Sequence, residues 1–200
     1  MPSPTRNGHL QYVQALLRET AIGAVTRGWP IVPGTYPAEV GDRWYGRHGA
    51  TDAPGLAPLD NQWQHHPIIT WEQAHTTWSR RRYGVLLVCG RGVDVLELPM
   101  ALASAALPAL DTPEVAGPVV VLAPARWLLL VNSGSGLLPA MAAWPAVVHR
   151  GCGQWVPLPP TDLGHTRAGW HRAPEPGAAL PGSEAVQRAI IAALGGGGSW

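Results

Sequence analysis

The chain has 200 residues, 46% of them apolar and 14% charged, enough for one domain or two small lobes around a sizeable core. A net charge of +1 does not mark a strongly basic nucleic-acid binder. Two cysteines, Cys89 and Cys152, with no CxxC pair, exclude a zinc ribbon and predict a reduced, cytoplasmic protein. All 14 basic residues are Arg, and 10 Trp stand beside no Phe, so Trp must fill aromatic core positions.

Leu10, Val13, Leu16, Leu17, Ile22 and Val25 recur near the helical period and predict a helix over 8–27, stopped by Gly28. Trp29–Val32 is expected to be a short strand. Residues 33–66 are rich in Gly, Pro, Asp and aromatics and read as a long surface excursion, where Trp44 and Trp63 are the aromatics freest to stack on a base. Trp29, Trp78 and Trp155 are expected in the core. Thr70 is expected to cap a helix over Trp71–Arg80.

Tyr83–Pro99 (YGVLLVCGRGVDVLELP) reads as two apolar strands joined by a tight turn at Cys89-Gly90-Arg91-Gly92. Met100–Leu110 reads as a buried helix that Pro108 kinks or ends. Val119–Leu122 and Arg126–Val131 predict a second hairpin, and Ala146–His149 with Gln154–Leu158 a third. A short strand is expected at Gly169–Arg172. Ser183 caps a last helix, Glu184–Leu194, with Ala185, Val186, Ala189, Ile190 and Ala193 toward the core. Residues 195–200 (GGGGSW) read as a flexible tail.

The sum is an α+β fold: a mostly antiparallel sheet built from hairpins with helices packed on it. A single domain is expected over 1–194, with a helix, strand and long-loop part at 8–82 and a hairpin sheet with its last helix at 83–194. The longest apolar run, Val119–Val131, is broken by Pro124 and Arg126, so no membrane span and no membrane partner are expected. The N-terminal residues show no export signal.

Acids inside a hydrophobic strand are costly unless paired or metal-bound, which singles out Asp94 and Glu97. Their three-residue spacing sends them to opposite faces of an unbroken strand. Asp94 reads as a turn residue bonding nearby backbone; Glu97 reads as a strand-end acid, solvated or paired with an Arg. The histidines His65, His66, His75, His165 and His171 lack metal-ligand spacing, so no metal site is assigned. Asn132-Ser133-Gly134-Ser135-Gly136 reads as a linker turn, not a nucleophile elbow.

In order and spacing, several segments resemble the N-terminal domain of bifunctional DNA primase/polymerases (Prim-Pol), of the archaeo-eukaryotic primase superfamily. They are GWPIVPG (28–34), ITWEQAHTTW (69–78), YGVLLVCGRGVDVLELP (83–99), GPVVVLAPARWLLLV (117–131), HRGCGQWVPLPPT (149–161) and AGWHRAPEPGAALP (168–181). The likeness spans about residues 8–194 and is nearest the divergent actinobacterial type.

The resemblance implies metal-dependent nucleotidyl transfer by an Asp-x-Asp pair, a phosphate-contacting His and a further Asp. At those places this chain carries Glu97 and Pro99, then Trp127, then Val148. Only Glu97 remains as a residual catalytic acid, and one carboxylate does not supply a two-metal site. The expectation is therefore a Prim-Pol-like domain without polymerase activity, acting as a nucleic-acid- or nucleotide-associated accessory with a replication-associated protein partner and no cofactor. The alternatives are a working enzyme with Mg or Mn, using Glu97 with Asp42, Asp52 or Asp60, and a protein-interaction scaffold. Candidate phosphate-contacting residues are Arg91, Arg126 and Arg150 at turns and strand starts, and the run Arg80-Arg81-Arg82. Bland readings stand beside these: solvated surface charge, and favourable interaction of the run with a helix C-terminus.

Overall fold

The structure, a computed structural model, describes residues 4–38, 43–46, 55–123, 125–134 and 136–195. In chain order the elements are α1 (Pro4–Thr26), β1 (Ile31–Gly34), β2 (Tyr36–Pro37), β3 (Trp44–Tyr45), α2 (Trp71–Arg80), β4 (Gly84–Val88) and β5 (Val93–Pro99). There follow α3 (Met100–Leu110), β6 (Val119–Leu122), β7 (Arg126–Asn132), α4 (Pro139–Ala142), β8 (Val148–Arg150), β9 (Trp155–Pro157), β10 (Gly169–Arg172) and α5 (Ser183–Gly195). The fold is α+β, and the pairings β1–β4, β2–β3, β4–β9, β5–β7, β5–β8 and β6–β7 are all antiparallel. Two compact units divide it: Met1–Val88 with Trp155–Gly169, and Cys89–Gln154 with Trp170–Trp200.

In the first unit, a three-stranded sheet runs β1-β4-β9. Every residue of β4 is buried, as its uninterrupted apolar sequence requires. Val13, Leu17, Ala21 and Ala24 form the buried stripe of α1, and Gly28, at φ +74°, turns the chain out of it. Helices α1 and α2 pack together, and the Gln14 Nε2 donates to the carbonyls of Trp78 and Ser79 (3.1 and 3.0 Å). The Thr70 hydroxyl accepts from the Gln73 N–H at the start of α2, as its sequence predicts. Trp78 is fully buried and its indole N–H donates to the Tyr83 carbonyl at 2.8 Å. Trp44 is also buried, and a Cβ on Gly164 would come within 3.1 Å of its ring. It is therefore a packing residue, not a free stacking platform. Trp63 packs partly buried against the Val32, Leu86 and Val88 cluster.

The second unit holds a five-stranded sheet ordered β10-β6-β7-β5-β8. The predicted β6–β7 hairpin is present, closing at Leu122↔Arg126. Leu96, Leu98, Trp127, Leu129 and Val131 face the core with Ala103, Ala106 and Leu110 of α3 and Val186, Ile190 and Leu194 of α5. Helix α3 runs past Pro108 to Leu110. On α5 the buried stripe is Ser183, Val186, Gln187, Ile190 and Leu194; Ala185 and Ala193, expected inside, are exposed. Gln187 explains the shift. Its amide accepts from the Leu138 N–H (2.7 Å) and donates to the Gly136 carbonyl (2.9 Å) and the Ser183 hydroxyl (3.2 Å), so a polar residue is buried with its bonds satisfied.

Two expected hairpins are not formed. β4 pairs with β1 and β9, whereas β5 pairs with β7 and β8, so the turn at 89–92 joins strands of different sheets. Likewise β8 pairs with β5 and β9 with β4, so 151–153 is a crossing and not a hairpin loop.

Candidate functional site

The register of β5 fixes what surrounds its two acids. β5 and β7 pair without interruption from Val93↔Asn132 to Pro99↔Arg126. Residues two apart share a face, so Val95, Glu97 and Pro99 lie on one side and Asp94, Leu96 and Leu98 on the other. Directly opposite residues share a face as well. Leu128 and Val148 stand opposite Glu97, Arg126 opposite Pro99, and Arg150 opposite Val95.

Glu97 is enclosed by two guanidiniums. Arg126 Nε donates to Glu97 Oε1 at 2.8 Å, and Arg150 Nε donates to Oε2 at 2.7 Å. Arg126 Nη1 also donates to the Ala146 carbonyl at 2.9 Å, which fixes its side chain. Burial by itself raises the pKa of Glu97, but the hydrogen bonds from Arg150 and Arg126 outweigh it and hold the carboxyl below its ordinary range. The carboxylate is therefore ionised, and both oxygens are engaged by cations.

Asp94, 2% exposed, anchors the other face. Its Oδ1 accepts from the Gly90 N–H (3.0 Å) and the Ser133 hydroxyl (3.1 Å), and its Oδ2 from the Gly134 N–H (3.1 Å). His149 Nε2 lies 3.0 Å from Oδ2. Four partners satisfy a buried carboxyl group that would otherwise be costly. Asp94 thus ties the turn before β5, the loop after β7 and strand β8 together. The segment read as a linker turn supplies two of those bonds, from Ser133 and Gly134 directly after β7. Cys89 and Cys152 are both free; burial first, then the Asp94 charge, push the Cys89 thiol up to about 12, against a smaller opposite effect of Arg150.

Trp127 does not lie on the Glu97 face. It stands opposite Leu98, is 7% exposed, and its ring lies 4.3 Å from that of His171. Arg126 and Leu128 occupy the Glu97 side at that level, because the alternation of β7 turns Trp127 into the core. His149, next to Val148 on β8, is directed to the opposite face and toward Asp94.

The candidate arginines separate. Arg126 and Arg150 meet at Glu97. Arg91 is exposed in the turn before β5. Arg80, Arg81 and Arg82 belong to the first unit, where Arg81 Nη1 donates to the Tyr36 hydroxyl at 3.3 Å and Arg82 lies over the Tyr36 ring, 5.2 Å from its centroid. Tyr36 is a partner that sequence reasoning did not single out. Of the supplementary acids, Asp42 and Asp52 lie outside the described residues. Asp60 is exposed and bonded to His66 Nδ1 (2.9 Å) and the Gln62 N–H (2.8 Å), contacts that hold its carboxyl below the ordinary range, the His66 bond foremost.

Nucleotidyl transfer of the type first suggested by the resemblance requires carboxylates converging on divalent ions. Glu97 is bound by two cations, and the groups beside it on its face are the hydrocarbons of Leu128, Val148 and Pro99. These residues do not fit a pair of divalent metal ions. Among the described residues, no three His, Cys, Asp or Glu side chains gather as a metal-binding group.

An α+β protein with a mostly antiparallel sheet, carrying an arginine-bound glutamate on strand β5 between β7 and β8, is the class these observations define. The chain matches the family model for the N-terminal domain of bifunctional DNA primase/polymerases over residues 21–183, most of its length, and it belongs to that family. No curated protein matches it. Among the described residues, no helix is long and apolar enough to cross a membrane.

Proposed function

We propose that this Prim-Pol domain has lost two-metal nucleotidyl transfer and acts as a nucleic-acid- or nucleotide-associated accessory. The observation that carries the reading is the pairing of Glu97 with Arg126 and Arg150, beside Pro99 and Val148. A divalent ion placed at Glu97 would have to displace two guanidiniums, and it would find no second carboxylate among these neighbours. The cationic groups at the cluster and the run Arg80–Arg82 support retained affinity for phosphate. The accessory role implies a cytoplasmic, replication-associated setting with a protein partner.

Primer extension on a primed DNA template with manganese tests it. The reading predicts no incorporation. Incorporation that Glu97→Ala abolishes would restore the enzyme. Loss of all binding to single-stranded DNA and nucleotides at low salt would favour a protein-interaction scaffold.

A further inference from the structure

We infer that Arg126 and Arg150 form a metal-independent phosphate site, in which two guanidiniums supply the positive charge that divalent cations supply to an acidic set. The inference rests on the nucleotide- or nucleic-acid-associated reading above and says how the contact is made.

Charge comes first. Two guanidiniums against one carboxylate leave the cluster with one positive charge in excess. An ionised Glu97 cannot cancel both, and its depressed pKa keeps the arrangement intact through neutral pH.

Donor supply comes second. Arg126 spends Nε on Glu97 and Nη1 on the Ala146 carbonyl. Arg150 spends Nε and Nη2 on Glu97 Oε2. Among the described residues, Arg126 Nη2 and Arg150 Nη1 donate no hydrogen bond. A guanidinium carries more N–H donors than these bonds consume, fixed in one plane. The side chains are 30% and 34% exposed, so the remaining donors have a route to solvent.

Preorganisation comes third. Both side chains are pinned by charge-assisted bonds of 2.8 Å or less to one carboxylate. Little rotamer freedom is left to lose when an anion arrives, and lost freedom is a main cost of binding through long side chains. A phosphate offers several acceptor oxygens and suits planar donors on two sides. The hydrocarbon neighbours Val148, Leu128 and Pro99 add no competing charge.

The shared chemistry is a phosphate group, which a free nucleotide or the backbone of a single strand can present. The test is titration of the purified full chain with dATP and, separately, with a single-stranded oligothymidylate, each in excess EDTA and again in manganese. Binding is expected to persist in EDTA, and the tighter arm identifies the source. Arg126→Gln and Arg150→Gln should each weaken it by about tenfold or more. Arg150→Lys retains the charge without the planar fork; it should weaken binding by less, and it serves if a Gln variant fails to fold. Binding that appears only with manganese, that ignores these substitutions, or that is absent altogether overturns the inference. Metal dependence of binding without incorporation would overturn this inference alone. Incorporation at a primed template would overturn the non-catalytic reading alone.

Discussion

Arg150 reaches Glu97 with two nitrogens, Nε and Nη2, each 2.7 Å from the same carboxylate oxygen. That contact spans β8 and β5, and Arg126 closes the other side from β7. The pair therefore locks three strands of the sheet at one point, and its loss should be felt as stability before it is felt as function.

Glu97→Gln should destabilise the protein by about 1–2 kcal/mol near neutral pH, discounted for the solvent exposure of both arginines. The folded pKa of Glu97 is depressed from its ordinary 4.5. Its contribution is therefore full above that ordinary value and is lost as pH falls through the folded one. The gap between wild type and Glu97→Gln in urea unfolding should be largest near neutrality and shrink as the pH falls below the ordinary 4.5. A gap that widens on acidification would contradict the pairing.

Asp94→Ala should cost more, about 2–4 kcal/mol, because it strips partners from the Gly90 and Gly134 amides and the Ser133 hydroxyl. Asp94→Asn retains acceptor capacity on one oxygen and should cost less. Denaturant midpoints at fixed slope check the order; equal costs would show that the buried network is not satisfied as described.

Gly90 and Gly92 lie in one turn, both with positive φ (+87° and +86°), yet their surroundings differ. A Cβ on Gly90 would lie 2.4 Å from the Cys152 Cα, whereas one on Gly92 meets open space. Gly92→Ala should cost about 1 kcal/mol from its backbone conformation, and Gly90→Ala about 2–4 kcal/mol because backbone must also move. Thermal melts of the two variants distinguish them; equal shifts would contradict the close approach of residues 90 and 152.

Local signals in the sequence were enough for α2 and the β6–β7 hairpin. Thr70 caps the one, and a short turn closes the other. The same kind of signal misleads at 89–92 and 151–153, because an apolar strand, a tight turn and another apolar strand look alike whether the strands pair or leave for separate sheets. Alternation along β5 was legible, so the separation of Asp94 from Glu97 was too. The Glu97–Arg126–Arg150 cluster was not, since it depends on the register of β7 and β8 against β5, which joins residues 29 and 53 positions away. By the same register Trp127, which the resemblance sets at the place of a phosphate-contacting His, turns into the core.

The Glu97 face is expected to hold no catalytic metal. Isothermal titration of manganese into the protein, with and without dATP, tests it most directly. The account predicts no saturable manganese binding that Glu97→Ala removes. A saturable manganese site that disappears in Glu97→Ala, with or without nucleotide, would contradict it.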